Sequence, residues 1–283
     1  MVGRMDELSV HARLVEENRR MWDAWTPHHA VSEFYDVNGF KAGRETLDAV
    51  ELEGVGDVKG KALLHLQCHF GLDTMSWARH GAAPVVGVDF SAPAVDTARE
   101  IAAELGLDAR FVACDVYDTL EHLGGERFDV VFTSHGAISW LPDLTRWARV
   151  IAGSLKPGGV FFVADSHPTL WMFDEEIEEP ELRFRYRYFD RGVLTQQQKG
   201  SYAAPDSGVV STPHSWQHTF EDLVDALVAA GLRVTSLREY PYLFFAWFPW
   251  MVKDDDGVFR LPDGMPDLPL MFSLTATVDE PAG

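Results

Sequence analysis

The chain has little cysteine, little positive charge and no long apolar run. Its two cysteines, Cys68 and Cys114, are too few for a disulfide framework and lack the paired spacing of a zinc site. Lys and Arg total 24 against 44 Asp and Glu, a formal charge of −20, which argues against nucleic acid as a partner. The apolar windows are too short to span a membrane, and Asp6 and Glu7 stand where a signal peptide would need an apolar run. We therefore expect a cytoplasmic protein with small-molecule ligands and no membrane partner.

Short apolar runs alternate with longer helix-like stretches, which is typical of a parallel sheet covered by helices. The predicted strands are 62–67, 84–89, 109–113, 128–133, 159–164, 232–240 and 270–278. The sequence thus predicts an α/β fold: a Rossmann-like sheet of seven mostly parallel strands flanked by helices, with an N-terminal lid and an insertion after the fifth strand.

Cap residues predict where several helices begin and end. Ser91, with a proline shortly after it, opens one helix that Gly106 closes. Thr219 and Asp222 form a capping box at the start of another. An N-terminal helix is expected over 10–25, with a break following at the Pro27-His28-His29 sequence.

Four segments are predicted from this pattern. Residues 1–50 form a helical lid, 51–165 the cofactor-binding core, 166–217 an insertion that forms the acceptor pocket, and 218–283 the C-terminal part of the core. The last segment carries an aromatic-rich insertion. Loops at the carboxyl ends of parallel strands are where open α/β sheets bind ligands, so the lid and both insertions are candidate pocket walls.

Three features suggest a nucleoside-binding site. The first strand runs into a turn that ends at Gly71, and Asp89 closes the second strand 18 positions later. A carboxylate there is placed to meet a ribose diol. Asp115, after the third strand, is placed to meet the edge of an adenine ring. Each feature alone is weak, since an Asp that ends a strand is often a turn or cap residue.

In these motifs the chain resembles the class I S-adenosylmethionine-dependent methyltransferases, in their bacterial small-molecule and natural-product branch. The similar segments are His65 to Gly71, Asp89, Cys114-Asp115-Val116, Phe128-Asp129-Val130-Val131 and Leu155-Lys156-Pro157-Gly158-Gly159. The resemblance implies S-adenosylmethionine as cofactor, with S-adenosylhomocysteine as product. The implied cofactor-binding residues are Gln67, Cys68, Gly71, Asp89, Phe90, Asp115, Val116 and Ser134.

The turn after the first strand departs from the family pattern. The family usually has an acid where this chain has His65, and glycines where it has Gln67 and His69. Glycine permits positive φ and close backbone approach. The replacements therefore predict either a wider turn or direct contact between these side chains and the cofactor.

Candidate catalytic residues lie outside the core motifs. His167 follows the fifth strand, and His214 and His218 share a face with Trp216 if that segment is extended. We expect His167, His214 or His218 to deprotonate the acceptor, because imidazole titrates near neutrality. Structural hydrogen bonding by each histidine is the alternative. A metal set of Asp165 with these three histidines is a weaker alternative, since no short ligand motif supports it, and no metal is expected.

Aromatic residues of the N-terminal segment are candidate acceptor contacts. Trp22 and Trp25 fit the buried stripe of a helix, whereas Tyr35 lies in a loop-like stretch and is the better candidate for the site. Methyl transfer benefits from a closed apolar box that aligns the nucleophile and excludes water. We therefore group Tyr35 with the candidate catalytic residues.

Arginines and aromatic residues alternate from Leu182 to Phe189, which as a strand would give one cationic and one aromatic face. Acidic residues precede this run, so local ion pairing is expected to outweigh binding of an anionic substrate.

The function predicted from these features is methyl transfer from S-adenosylmethionine to a small aromatic or heteroaromatic metabolite, indole-like or phenolic, in bacterial secondary metabolism. Oxygen, nitrogen and carbon acceptors all remain open, as does a homodimer. A non-catalytic S-adenosylmethionine-binding protein or a non-methylating relative is the alternative. A nicotinamide-dependent dehydrogenase is disfavoured, because the glycine-rich G-x-G-x-x-G fingerprint is missing.

Overall fold

The computed structural model describes residues 2–190 and 192–279, with side chains from Ser9 onward. Its α-helices are α1 Val2–His29, α2 Val37–Lys41, α3 Ala49–Val55, α4 Leu72–Arg79, α5 Ala92–Leu105, α6 Thr119–His122, α7 Leu144–Ser154 and α8 Phe220–Ala229. Its strands are β1 Leu63–Leu66, β2 Val85–Asp89, β3 Ala109–Ala113, β4 Phe128–Thr133, β5 Leu155–Ser166, β6 Val193–Thr195, β7 Gln198–Lys199, β8 Val210–Ser211, β9 His214–Trp216, β10 Leu232–Tyr240, β11 Val252–Lys253, β12 Phe259–Arg260 and β13 Met271–Val278.

Seven of the strands form one sheet in the order β10-β13-β5-β4-β1-β2-β3. Neighbours from β3 through β5 pair in parallel, whereas β13 runs antiparallel to both β5 and β10. The order reverses at β1, which pairs with β2 on one side and β4 on the other. The predicted seven-stranded, mostly parallel α/β sheet is confirmed.

The sheet is buried on both faces, as a parallel sheet with helices on either side must be. Every residue of β1 and β2 is buried. On one face the core includes Trp147 and Phe161, whose rings meet edge to face at 5.4 Å. On the other it includes Phe132 and Phe162, whose rings stack at 5.9 Å. This packing fixes the positions of the strand ends.

The predicted caps form as expected. The Ser91 side chain accepts a hydrogen bond from the N–H of Ala94, and α5 ends at Gly106 with φ of 62°. Thr219 and Asp222 form a reciprocal capping box at the start of α8. The β3, β4 and β10 bounds match the predicted strands, while β5 begins four residues before its predicted start at 159.

Helix α1 is longer than predicted and does not break at Pro27. Proline lies in its last turn, where the missing N–H removes only one intrahelical bond. The N–H of Ala30 still donates to the carbonyl of Thr26, at 3.0 Å, so the turn closes beyond the proline. No helix within residues 2–190 and 192–279 combines the length and apolarity needed to cross a membrane.

The segment after β5 holds two small antiparallel pairs, β6 with β9 and β7 with β8. The Arg-aromatic alternation does not form a strand; its backbone makes only an isolated bridge between Phe173 and Phe184. Arg185 pairs with the carboxylates of Asp174 and Glu176, at 2.9 and 2.8 Å. Arg183, which pairs with Glu181 at 3.0 Å, and Arg185 are therefore occupied by neighbouring acids, which agrees with the expected local ion pairing.

Candidate functional site

A cleft lies where the carboxyl ends of β1, β2 and β4 meet, at the point where the strand order reverses. Open α/β sheets bind ligands at this position. The space between its walls, counted together with the part that is open to solvent, is about 760 Å³. Its lining residues are Val15, Trp22, Tyr35, Gln67, His69, Val88, Asp89, Phe90, Asp115, Val116, Tyr117, His135, Gly136, Ala137, Trp140, Leu141, Pro142 and Tyr202.

The turn after β1 has the left-handed backbone that glycine favours at two positions where the chain carries other residues. Gln67 and His69 have φ values of 58° and 50°, in the left-handed region, where non-glycine residues are uncommon. Their side chains consequently reach the cleft. The Gln67 amide donates to the carbonyl of Ala137 at 2.9 Å. Of the two predicted outcomes, contact between these side chains and the cofactor agrees with their place in the cleft lining, and it stays a prediction.

Gly71 lies in the same turn but does not line the cleft. It caps α4 with φ of 74°, and a Cβ there would lie 2.3 Å from the Phe111 ring. Glycine is therefore required by close packing between the turn and β3. The expected cofactor contact of Gly71 is not seen in this geometry.

Asp89 closes β2 and faces the cleft. Its two carboxylate oxygens accept backbone hydrogen bonds from His69, at 2.8 Å, and from Ser91, at 2.9 Å. Burial raises the pKa of this carboxyl to about 6, against the lowering effect of those two N–H donors. The carboxylate is thus fixed in position and retains lone pairs for hydroxyl donors.

Three more predicted cofactor residues line the same cleft: Phe90, Asp115 and Val116. Asp115 follows β3, and one of its oxygens accepts the N–H of Tyr117 at 2.9 Å. Asp115 and Asp89 lie at the ends of neighbouring parallel strands. The cleft therefore brings together carboxylates suited to a ribose and to the amino edge of a purine.

Cys68 and Ser134 do not line the cleft. Cys68 is packed in the core between β2 and α4, and burial raises its thiol pKa. The Ser134 hydroxyl donates to the carboxylate of Asp73 at 3.1 Å. The turn after β1 directs Cys68 inward, and Ser134, which follows β4, faces Asp73 of α4, so neither predicted cofactor contact is seen among the cleft residues.

His65 replaces the family's usual acid at the centre of β1. Its Nδ1 lies 2.8 Å from the Thr74 hydroxyl, and burial lowers the pKa of the ring to about 3. The imidazole is therefore neutral at pH 7 and ties β1 to α4.

Aromatic side chains form the other wall of the cleft. Trp22 of α1 packs edge to face on Trp140 at 5.5 Å and on His69 at 5.2 Å. The Tyr35 hydroxyl makes a short hydrogen bond with that of Tyr202, which comes from the insertion after β5. The lid and the insertion thus close one aromatic box over the carboxyl end of β1.

A chain of hydrogen bonds leads from the cleft into the protein. His69 Nε2 lies 3.1 Å from His29 Nδ1, and His29 Nε2 lies 2.8 Å from the Ser201 hydroxyl. His69 Nδ1 is buried without a hydrogen-bond partner. Burial lowers the pKa of both imidazoles, that of His29 to about 4, so both rings are neutral at pH 7.

The three histidines predicted as candidate bases lie off this cleft. His167 Nε2 lies 2.8 Å from Glu239, and its Nδ1 lies 2.8 Å from the Thr169 hydroxyl. His214 Nε2 lies 2.9 Å from Glu17 of the lid.

His218 Nε2 donates to the carbonyl of Leu141 at 2.7 Å. The segment 214–218 therefore does not present both imidazoles to one pocket: His214 reaches α1, whereas His218 reaches the loop after β4. Each histidine makes the hydrogen bonds of a structural residue, the alternative weighed from the sequence.

The alternative metal set of Asp165 with these histidines is not assembled. Asp165 accepts backbone N–H bonds from Gly136, Ala137, Ile138 and Ser166, at 2.7 to 3.0 Å. Its carboxylate therefore supports the loop after β4, which lines the cleft, rather than facing the histidines.

Sequence reasoning missed four cleft residues: His69 as a functional group, His135, Trp140 and Tyr202. For His69 a signal was present, since an imidazole stood at a glycine position of a motif. Trp22 carried an ambiguous signal, because the spacing that places it on a helix also fits core packing. Trp140 and Tyr202 belong to irregular segments whose path the sequence pattern does not specify.

The strand order, the antiparallel β13 and the carboxylates after β2 and β3 define the class I methyltransferase fold. Residues 63–159 match the family described as a methyltransferase domain. The matched domain is similar to those of S-adenosylmethionine-dependent methyltransferases, which share its fold.

Individual relatives agree with this assignment. A ubiquinone biosynthesis O-methyltransferase from Chelativorans sp. is 33% identical over 150 residues, which cover 52% of this chain and 55% of the relative. The chain therefore matches about half the length of that curated relative. The S-adenosylmethionine dependent methyltransferase from Mesorhizobium loti shares the fold with a TM-score of 0.53 at 22% identity, over 80% of this chain and 94% of its own. A methyltransferase from Methanosarcina mazei shares the fold with a TM-score of 0.55 at 15% sequence identity. The match covers 83% of this chain and 99% of the Methanosarcina chain.

The cleft fits the cofactor of this class by the chemistry of its groups. The Asp89 and Asp115 carboxylates line it, and Gln67 Oε1 and His69 Nδ1 are buried without hydrogen-bond partners. Buried polar atoms are rarely left unpaired in proteins, so these two atoms point to a polar ligand.

Proposed function

We propose that this protein transfers a methyl group from S-adenosylmethionine to a small, neutral, aromatic or heteroaromatic metabolite. The observation that carries the proposal is a single cleft lined both by the carboxylates of Asp89 and Asp115 and by an aromatic box. The first feature suits a nucleoside, and the second suits a planar acceptor held against a sulfonium.

On the cofactor side, Asp89 would hold the ribose hydroxyls and Asp115 the amino edge of the adenine. Val116 would pack against the ring, beside Phe90. Gln67 would contact the methionine end of the cofactor, because its amide oxygen is unpartnered in the cleft. When bound, S-adenosylmethionine supplies the electrophilic methyl group.

On the acceptor side, Trp22, Tyr35, Trp140 and Tyr202 would enclose a flat molecule and exclude water from it. None of the described lining residues is Lys or Arg, and the lining histidine with a raised pKa, His135, already faces the carboxylates of Asp48 and Glu51, so a neutral acceptor suits the cleft better than an anionic one. Hydroxyl groups of Tyr35 and Tyr202 supply the polar contacts that orient it. Indole-like and phenolic molecules meet both requirements.

We assign the deprotonation of the acceptor to His69. In one tautomer of the hydrogen-bond chain, His69 Nε2–H donates to His29 Nδ1, and His29 Nε2–H donates to Ser201. That arrangement leaves a lone pair on His69 Nδ1, the unpartnered atom. A neutral imidazole so placed can take the proton of an attacking O–H or N–H group, while His29 holds the ring in orientation.

Calorimetric titration with S-adenosylmethionine, S-adenosylhomocysteine and NAD tests the cofactor. The expected result is tight binding of the first two and none of the third. An acceptor screen over indoles, phenols and amines, read by mass spectrometry as a gain of one methyl group, tests the reaction. Binding of neither sulfur compound would overturn the proposal. Binding of the cofactor without turnover of any compound in the screen would favour the alternative, a non-catalytic S-adenosylmethionine-binding protein. The altered turn after β1 is the sequence feature that suggests this alternative.

A further inference from the structure

Beside the cleft, three metal-ligating side chains converge: Asp48, Glu51 and His135. Their ligand atoms all lie within 4.8 Å of one another, and among the described residues this is the one such group found. His135 Nε2 lies 3.3 Å from Glu51 Oε1 and 3.7 Å from Asp48 Oδ2. Ligand atoms bound to one ion at ~2.0–2.2 Å stand at comparable separations.

The helix cap holds both carboxylates in place while leaving one oxygen of each available. Asp48 Oδ1 accepts the N–H groups of Val50 and Glu51, and Glu51 Oε2 accepts the N–H of Asp48. Asp48 Oδ2 and Glu51 Oε1 are the oxygens that face His135. Carboxylate ligands of metal sites are commonly oriented by hydrogen bonds of this kind.

Two of the atoms that face each other lack hydrogen-bond partners. The Glu51 side chain is 1% exposed, and its Oε1 is buried without a partner; His135 Nε2 is likewise unpartnered. The Phe244 ring packs edge to face on His135 at 4.8 Å, which holds the imidazole toward the carboxylates. A buried carboxylate oxygen requires a cation beside it, which is either the protonated His135 ring, in an ion pair at 3.3 Å, or a metal ion bound between the two groups.

We propose that Asp48, Glu51 and His135 bind one divalent transition-metal ion, such as Zn²⁺ or Co²⁺, at the edge of the cleft. An imidazole with two carboxylates favours these ions over Mg²⁺ or Ca²⁺, which prefer oxygen ligands throughout. Three protein ligands leave at least one coordination position for water or for an oxygen of a molecule in the cleft, because His135 lines that cleft.

The test is titration of the chelator-treated full chain with Co²⁺, followed by visible absorption and calorimetry. The expected result is binding of one Co²⁺ ion per chain, with the absorption bands of a low-coordinate Co²⁺ site. Addition of Zn²⁺ should displace the Co²⁺ and abolish these bands. His135→Ala and Glu51→Gln should each weaken the affinity at least tenfold. Glutamine can replace glutamate in a capping box, so Glu51→Gln removes the charge while retaining the cap.

A matched control is His80→Ala, which removes a histidine that is paired with the carboxylate of Glu45 at 2.7 Å but is not one of the three proposed ligands. It should bind Co²⁺ as the unmodified chain does. Circular dichroism and thermal unfolding of each variant separate loss of the ion from loss of the fold. Absence of saturable Co²⁺ binding in the unmodified chain, or unchanged binding in folded His135→Ala, would overturn the proposal in favour of a direct ion pair. Neither readout depends on the methyltransferase activity.

Discussion

His69 Nε2 lies 3.1 Å from His29 Nδ1, and this contact joins the turn after β1 to the helix that covers it. One imidazole replaces a glycine of the cofactor-binding turn, and the other ends α1. The same pair therefore connects three functions of the site: the shape of the turn, the closure of the lid and the orientation of a base.

Replacing His69 with alanine should lower turnover far more than cofactor affinity. A positioned general base contributes about 10²–10⁴-fold to rate, so kcat is expected to fall by that order while the dissociation constant of S-adenosylmethionine changes less than about threefold. Steady-state kinetics with an acceptor identified by screening, together with calorimetry, measures both quantities.

His122→Ala is the control for this experiment, because His122 is exposed and lies on α6, outside the cleft residues. It should leave both quantities unchanged. Turnover of His69→Ala close to that of the unmodified protein would remove His69 as the base.

The left-handed backbone at position 69 predicts an unusual order of stabilities. Glycine adopts φ of 50° without strain, whereas an alanine Cβ there costs ~1–2 kcal/mol. We expect His69→Gly to be more stable than His69→Ala by about 1 kcal/mol, as measured by urea unfolding. At an ordinary helical position alanine is more stable than glycine. The reference is therefore the Ala103→Gly variant in α5, compared with the unmodified protein, and it should be less stable. Equal stabilities of the two position-69 variants would contradict the left-handed assignment.

The sheet could be predicted from the sequence because its strands are short, apolar and bounded by clear turn signals. The bounds of β3, β4 and β10 follow directly from such patterns, as do the caps at Ser91 and Thr219. The sequence predicts too short a helix α1, because a proline within a helix usually ends it, whereas Pro27 lies in a last turn that tolerates it.

The cofactor side of the site was also predictable, because Asp89 and Asp115 follow strands whose neighbours are fixed by the sheet. The aromatic side of the site could not be predicted, because only tertiary packing determines where Trp140 and Tyr202 lie. The candidate histidines were misplaced for a related reason. A strand pattern can state that His214 and Trp216 share a face, but not which element covers that face, and here α1 covers it.

Affinity for S-adenosylmethionine should depend on the ionisation of Asp89. Burial raises its pKa to about 6 in the ligand-free protein, so the carboxyl is ionised at pH 8 and becomes protonated as the pH falls through 6. A protonated carboxyl accepts hydroxyl hydrogen bonds poorly, and affinity is therefore expected to decline below pH 6. Calorimetry from pH 5 to 8 measures the trend. Asp89→Asn should bind at least tenfold more weakly at pH 8 and lack this pH dependence; a variant with unchanged affinity would remove the ribose assignment.

His214 should act on lid closure and not on the proton transfer. Its Nε2 lies 2.9 Å from Glu17, and its backbone N–H and carbonyl are bonded to the Asn18 side chain at 2.9 and 2.7 Å, so β9 holds α1 in place. We expect His214→Ala to leave the backbone bonds intact but to loosen α1, which raises KM for the acceptor several-fold, accelerates protease cleavage within α1, and changes kcat by less than about threefold. Asn18→Ala removes the backbone bonds instead and should give the same pattern more strongly, because a buried N–H left unpaired costs about 1–3 kcal/mol. His214 contacts the lid and not the cleft. A fall in the kcat of His214→Ala of a hundredfold or more, with unchanged protease sensitivity, would therefore contradict this prediction and indicate that His214 is a catalytic residue.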